Sequence, residues 1–238
     1  MKLEDRYNLL RRAEGNPQLQ EACLEASRQD PIFWFETFCW TYDPRKAPHS
    51  DIPFELYPFQ KKFILELVKC IKTGESLLIE KSRDMGLSWL VMLTFQWFWI
   101  FEEGASFHVG GKVESDIDNK GNRSTLFGKV RYNIDFLPLW MLDKLKKTED
   151  CHMKLVCPHN GNTITGGAAT PNFGRGGRYK AILFDEFAFH PYGDYAFASA
   201  SQASNCIICV STPYGKANKF AKLRFDPKME WIDLKWRG

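Results

Sequence analysis

The chain has 238 residues, of which 44% are hydrophobic and 26% are charged, and its net charge at pH 7 is +3. This composition is typical of a globular protein with one substantial core, and it permits a nucleic-acid partner without requiring one. Its seven cysteines exclude a fully paired disulfide framework. No secretory signal opens the chain, and no apolar run reaches the roughly 18 residues that a membrane span needs. We therefore expect a cytosolic protein with reduced thiols.

The predicted elements begin with helices and continue with strands that alternate with helices. Prolines at three positions in residues 43–53 indicate a linker or an extended arm. Strand segments without polar alternation, separated by helices, are typical of a parallel sheet covered on both faces. Helices are predicted at residues 3–13, 17–28, 31–40, 58–73, 87–101 and, over most of its length, 113–136. Strands are predicted at residues 76–80, 105–110, 181–184, 206–210 and 231–234, with a hairpin that joins residues 155–156 to 163–165.

The first motif with chemical content is the loop KSRDMGLS, which runs from Lys81 to Ser88 between a predicted strand and a predicted helix. A phosphate-binding loop (Walker A) reads G-x-x-x-x-G-K-[ST], and its backbone amides cradle the phosphates. Gly86 and Ser88 match this pattern, whereas Lys81 stands at the first glycine and Leu87 at the usual lysine. Either Lys81 or Arg83 is close enough along the loop to supply the missing cation, and a serine hydroxyl can bind Mg²⁺. A polar turn that only starts a helix is the alternative.

Two later strand ends also carry polar residues. One apolar run ends in Asp185-Glu186, the Walker B arrangement, in which Asp185 would hold Mg²⁺ and Glu186 would polarise the attacking water. A solvated acidic turn after a strand is the alternative. The next apolar run ends in Ser211-Thr212-Pro213, whose hydroxyls are suited to sensing a terminal phosphate. Because ligands of parallel sheets bind at the carboxyl ends of the strands, we predict one nucleotide site at this edge.

Together these motifs resemble the ATPase domain of the large terminase subunit of tailed bacteriophages, over residues 30–238. Some members of that family carry a displaced lysine at the start of the loop, as Lys81 would be here. The segment LYPFQ, which ends at Gln60, resembles the family's adenine-recognition element. Arg175-Gly176, which precedes the acidic pair, resembles its Arg-Gly element.

The resemblance implies an α/β fold of the P-loop NTPase (ASCE) type, a three-layer sandwich with a mainly parallel central sheet. It implies a helical extension and linker over residues 1–53 and an ATPase core over residues 54–238, with the family's C-terminal nuclease domain outside this chain. It implies hydrolysis of ATP with Mg²⁺ to drive double-stranded DNA into a procapsid in the host cytoplasm, away from any membrane. The implied partners are the portal protein, the small terminase subunit and further copies in a homo-oligomeric ring.

The motifs and the resemblance together assign roles to individual site residues. Glu186 and Arg175 would act in catalysis, and Ser88 and Asp185 would bind the metal ion. The nucleotide-binding residues would be Gln60, Lys81, Ser82, Arg83, Asp84, Met85, Gly86, Leu87, Ser88, Ser211 and Thr212.

Charged loops and surfaces leave further alternatives. We predict that Arg175 neutralises phosphoryl charge in a neighbouring subunit, with Arg178 as the second candidate and a solvated loop hinge as the alternative. A helicase-type DNA translocase and a nucleotide-binding module with little hydrolysis are the competing functions. Candidates for contact with DNA phosphates are Lys112, Lys120, Arg123, Lys129, Arg131, Lys216, Lys219 and Lys222.

Overall fold

The structure is a computed structural model that describes residues 1–145, 148–227 and 229–234. Residues 235–238 of the predicted core therefore lie outside the described part. The strands are β1 Trp40–Tyr42, β2 Asp51–Pro53, β3 Leu77–Lys81, β4 Ser106–Gly111, β5 Glu149–Cys151, β6 Lys154–Val156, β7 Thr163–Ala168, β8 Ala181–Asp185, β9 Ile207–Ser211 and β10 Glu230–Leu234. The helices are α1 Leu3–Ala13, α2 Pro17–Gln29, α3 Pro31–Phe38, α4 Pro58–Thr73, α5 Leu87–Phe101, α6 Glu114–Ile117, α7 Leu126–Asp135, α8 Leu139–Leu145, α9 Gly193–Ala200 and α10 Lys219–Leu223.

An eight-stranded sheet forms the middle layer, with the strand order β10-β3-β9-β8-β4-β7-β6-β5. The strands from β10 to β7 pair in parallel, and β6 and β5 continue the sheet in antiparallel fashion. The register aligns the carboxyl ends of the central strands, since Glu80 lies opposite Ser211 and Asp185 lies opposite Val210. The predicted α/β fold with a mainly parallel sheet is confirmed.

Helices cover both faces of this sheet. On one face, α5 is apolar on all sides because it lies between the sheet and the N-terminal helices. Its polar groups are satisfied there: the Trp97 indole nitrogen donates to the Ser27 carbonyl at 2.6 Å, and that of Trp99 donates to the Asn162 carbonyl at 2.9 Å. On the other face, α9 and α10 enclose a second apolar cluster that includes Phe184. Three layers result.

The N-terminal helices belong to the larger of the two cores. Trp34 and Phe38 are buried with the apolar residues of α4 and α5, and the Trp34 ring meets the Phe101 ring at 5.3 Å. Local signals set the helix ends: Asp30 accepts a hydrogen bond from the Ile32 amide at the start of α3, and Gly74 ends α4 with a φ of 79°. Among the described residues, no helix is both long and apolar enough to cross a membrane.

Two predicted segments differ from the structure. The helix predicted at residues 31–40 ends at Phe38, because Trp40 pairs with Pro53 in the hairpin of β1 and β2 that spans the predicted linker. The helix predicted at residues 113–136 is two short helices, α6 and α7. Between them, Asn122 and Thr125 bond to nearby backbone groups and start α7 anew, as such side chains commonly do. Sequence patterns also missed β5, α8, α9 and α10.

Candidate functional site

The polar strand ends meet at the carboxyl edge of the sheet. The Lys81 ammonium lies 2.7 Å from the Glu186 Oε1 atom, although the two residues are 105 positions apart in the chain. The Ser88 hydroxyl, in the first turn of α5, lies 3.0 Å from both carboxylate oxygens of Asp185. The structure therefore brings the loop, the acidic pair and Ser211 at the end of β9 to one place.

The loop between β3 and α5 turns sharply through left-handed backbone. Asp84 has a φ of 62° and Gly86 a φ of 72°, and the Gly86 carbonyl accepts the first helical hydrogen bond of α5. Met85 and Leu87 are each 2% exposed and point into the core. The Leu87 side chain therefore does not face the site, and position 87 supplies no cation there.

The remaining loop residues lie at the surface. Ser82 donates its amide to the Leu234 carbonyl at 3.1 Å, which ties the loop to the edge strand β10. Arg83 and Asp84 are exposed, and the Asp84 carboxylate pairs with Arg45 of the β1–β2 turn at 3.2 Å. The structure places Lys81 beside the acidic pair, with 12% of its side chain exposed.

A second ammonium, that of Lys129 in α7, lies behind this site. It is 7% exposed, and its Nζ atom donates to the backbone carbonyls of Ser124 and Thr125. Burial lowers the pKa of Lys129 to about 8, while the charge of Asp185 opposes that shift. Sequence patterns placed Lys129 among the DNA contacts, because nothing in the local sequence marks a lysine that becomes buried.

The Asp185 carboxylate is partly buried at the end of β8. Burial raises the pKa of Asp185, and Lys81, Lys129 and the Ser88 hydrogen bond lower it without cancelling the effect of burial. A carboxylate and a hydroxyl are hard oxygen ligands of the kind that Mg²⁺ prefers, and a divalent cation would supply the missing positive charge. Ser88 and Asp185 therefore fit a magnesium ion.

Glu186 occupies an unusual backbone conformation, with φ 50° and ψ 44°. Side chains other than glycine rarely adopt this left-handed region, and strained residues of this kind cluster at functional sites. The Glu186 Oε2 atom lies 3.5 Å from both the Ser211 hydroxyl and the Thr212 amide. The Ser211 hydroxyl also accepts the Ala188 amide at 3.1 Å. Glu186 is therefore linked to the end of β9 as well as to the loop.

Gln60 connects α4 to the loop between β3 and α5 through its side-chain hydrogen bonds. Its side-chain oxygen accepts the Tyr57 amide at 3.0 Å, and its side-chain nitrogen donates to the Met85 carbonyl at 3.1 Å. It is 5% exposed and lies at the wall of a groove of about 1000 Å³ that also meets Gly86 and Trp89. Contact of Gln60 with an adenine base stays a prediction.

In the described part of the chain, no hydrogen bond or ion pair joins Arg175 to the other predicted site residues. The loop that carries it is anchored on both sides: Phe173 packs so closely on Gly110 that a Cβ atom there would meet its ring at 2.6 Å, and Tyr179 stacks on His108 at 4.9 Å. Within the described residues, the exposed Arg175 side chain makes no hydrogen bond or ion pair. Its action on a neighbouring subunit stays a prediction.

Several of the predicted DNA contacts are engaged within the fold. Lys129 is buried, and Arg131 pairs with Asp118 and Asp150. Arg123 lies over the rings of Tyr42 and Tyr132. These side chains make contacts within the fold, so fewer cationic groups are available to DNA than the count of lysines and arginines in the sequence suggests.

Comparison with solved structures finds a similar fold in large terminases. No family model matches the chain, and no curated protein matches its sequence. The structure is similar to the large terminase of bacteriophage HK97, with a TM-score of 0.62 and 16% identity over 87% of this chain and 43% of that protein. It is similar to the large terminase ATPase domain of a Thermus phage, with a TM-score of 0.55 and 14% identity over 76% of this chain and 81% of that domain.

A third similar structure is the large terminase of a thermophilic bacteriophage, with a TM-score of 0.53 and 12% identity over 76% of this chain and 46% of that protein. The chain thus spans less than half of the two longer terminases that it matches. At such identities the likeness establishes the fold, which is that of the large terminase ATPase domains.

Proposed function

We propose that this chain is an ATP-hydrolysing motor domain of the large terminase type, which drives double-stranded viral DNA into a procapsid. The observation that carries the proposal is the meeting of Lys81, Ser88, Asp185 and Glu186 at one edge of the sheet. The shared fold of terminase ATPase domains supports it.

Each of these residues has a role that follows from its position. Lys81 and the amides of the loop contact the phosphates, and Ser88 and Asp185 would hold Mg²⁺. When bound, the metal ion neutralises phosphate charge. Glu186 takes up the proton of the attacking water, and Ser211 with Thr212 reports whether a terminal phosphate is present.

The ion pair between Lys81 and Glu186 gives this site a resting state. The Lys81 ammonium, 2.7 Å from the Oε1 atom, occupies one of the two carboxylate oxygens of Glu186 that could otherwise contact the attacking water. Arriving phosphates compete for Lys81 and release the carboxylate. Hydrolysis therefore follows phosphate binding.

The assembled motor is a homo-oligomeric ring on the portal protein in the host cytoplasm, with the small terminase subunit as a further partner. In this ring, Arg175 completes the site of the neighbouring subunit. A mixing experiment tests this: Arg175→Ala subunits keep an intact Glu186, and Glu186→Gln subunits keep an intact Arg175. Mixed in equal amounts, they should regain turnover that neither shows alone. No gain on mixing contradicts action between subunits.

Turnover and binding measurements on single variants test the proposal itself. Glu186→Gln should lower ATP turnover by about 10²- to 10⁴-fold and leave ATP affinity nearly unchanged, as expected for a general base. Lys81→Ala should weaken affinity as well. The exposed Glu103→Gln and Lys62→Ala are matched controls and should behave as wild type.

A nucleotide-binding module with little hydrolysis is the second candidate, favoured by the buried Leu87 and the resting ion pair of Glu186. ATP binding without turnover, even at high protein concentration, would support it over the motor. A helicase-type translocase shares the loop and the acidic pair, and it normally uses a second motor domain in addition. A wild-type protein that neither binds nor hydrolyses ATP would contradict all of these functions.

A further inference from the structure

Glu186 follows strand β8 and begins a turn that His190 closes. After Asp185 the chain enters the left-handed conformation at Glu186 and continues as one turn of 3₁₀-helix, Phe187–Phe189. The Phe189 amide donates to the Glu186 carbonyl at 3.0 Å, and the His190 amide donates to the Phe187 carbonyl at 3.2 Å. The turn thus folds back on the end of the strand.

The ring of His190 completes this fold-back. Its Nε2 atom lies 2.8 Å from the Asp185 carbonyl oxygen, and the residue is 5% exposed. Since a carbonyl oxygen only accepts, Nε2 carries the proton and donates it. Nδ1 is buried, without a hydrogen-bond partner in the described part of the chain.

The packing of the ring leaves it little freedom. Phe184 and Phe187 meet it edge to face, at centroid distances of 5.9 Å and 5.3 Å. The ring therefore forms a rigid contact between the start and the end of the turn that contains Glu186.

We propose that His190 is a positioning residue for Glu186, acting through its ring hydrogen bond to the Asp185 carbonyl. This inference rests on the proposed function, in which Glu186 is the general base. The left-handed backbone of Glu186 is unfavourable by itself, so it persists only where surrounding contacts enforce it. The hydrogen bond from His190 holds the peptide group that precedes Glu186, and Lys81 contacts the Glu186 carboxylate.

Removal of the hydrogen bond should relax the turn, so that the Glu186 carboxylate no longer occupies one defined position. The loop between β3 and α5 should stay intact. His190→Phe keeps an aromatic ring and removes the donor, whereas His190→Gln can place an amide N–H near the former Nε2 atom. We expect His190→Phe to lower kcat for ATP by about 10- to 100-fold, the size of effect that small misplacement of a catalytic group produces. We expect KM to stay within about twofold, and His190→Gln to retain at least about a third of kcat.

A double-mutant cycle separates positioning from a general loss of stability. In a Glu186→Gln background there is no general base to position, so His190→Phe should lower turnover no further. His159→Phe is the matched control, because His159 also bonds a backbone carbonyl, that of Ile100, through Nε2 at 2.8 Å. This control should lose stability without losing kcat. Equal losses of kcat in both backgrounds, or an equal loss from His159→Phe, would overturn the proposal.

Crystal structures of the two His190 variants provide a readout that does not depend on activity. In His190→Gln, Glu186 should keep its positive φ and its ion pair with Lys81, and in His190→Phe both should be lost. If the wild type does not hydrolyse ATP, the motor function fails while these structures still test the positioning. A His190→Phe structure with an unchanged Glu186 overturns it.

Discussion

A lysine placed at position 87, where phosphate loops ordinarily carry one, should not become a phosphate-binding cation in this protein. Leu87 is 2% exposed and packs in the main core. Full burial lowers the pKa of a lysine by up to about three to five units, and each unit corresponds to about 1.4 kcal/mol. With a lowering of about three units, Leu87→Lys reduces the free energy of unfolding at neutral pH by about 4 kcal/mol. That is a large part of the roughly 5–15 kcal/mol that holds a typical domain folded.

Chemical denaturation measures this loss, and ATP turnover in a Lys81→Ala background measures whether the new lysine substitutes for the old one. We expect no recovery of turnover. Leu139→Lys is the matched control, since Leu139 is 80% exposed and its replacement should change stability by less than about 0.5 kcal/mol. A Leu87→Lys, Lys81→Ala protein that is as stable as Lys81→Ala alone and regains turnover would refute the inward orientation of Leu87.

Three further outcomes follow from the buried groups around the site. Because burial raises the pKa of Asp185, its ionised form destabilises the fold above the ordinary aspartate value of about 3.9. Asp185→Asn should therefore raise the Tm without nucleotide at pH 7 while abolishing turnover, and the gain in Tm should vanish as the pH falls toward 4. Because burial lowers the pKa of Lys129 to about 8, the unfolded chain binds more protons between pH 8 and about 10.4. The unfolding free energy of the wild type relative to Lys129→Met should thus rise across that range by up to about 3 kcal/mol, and a flat difference contradicts the burial of the ammonium. Gly128→Ala would place a Cβ atom in steric conflict with the Asn122 carbonyl oxygen, so we expect denaturation to report a loss of about 2–3 kcal/mol.

The elements that sequence patterns located well are those with strong local signals. Helix α4 begins at Pro58 and is ended by Gly74, and α5 follows from its long apolar run. Helix α7 was misjudged because its start depends on hydrogen bonds of Asn122 and Thr125 with neighbouring backbone groups, which compete with a continuous helix. Helices α9 and α10 are short, and their positions depend on burial against the sheet more than on propensity.

The candidate site divides in the same way. Ser88, Asp185 and Glu186 were identifiable because each follows a recognisable strand or loop. Lys129 and His190 carry no such signal. Their positions at the site arise from contacts made in the folded chain, with Thr125 in one case and with the backbone of Asp185 in the other.

By itself the sequence determined that polar residues end three apolar segments and that the loop at residues 81–88 lacks the lysine of the Walker A pattern. Such features depend on short-range propensities and on the order of residues along the chain. Only the tertiary structure decided that β3, β9 and β8 lie side by side, that Lys81 meets Glu186, and that Leu87 faces inward. Strand pairing and core packing join residues that are far apart in sequence, and their energies depend on the whole fold, which no local pattern contains.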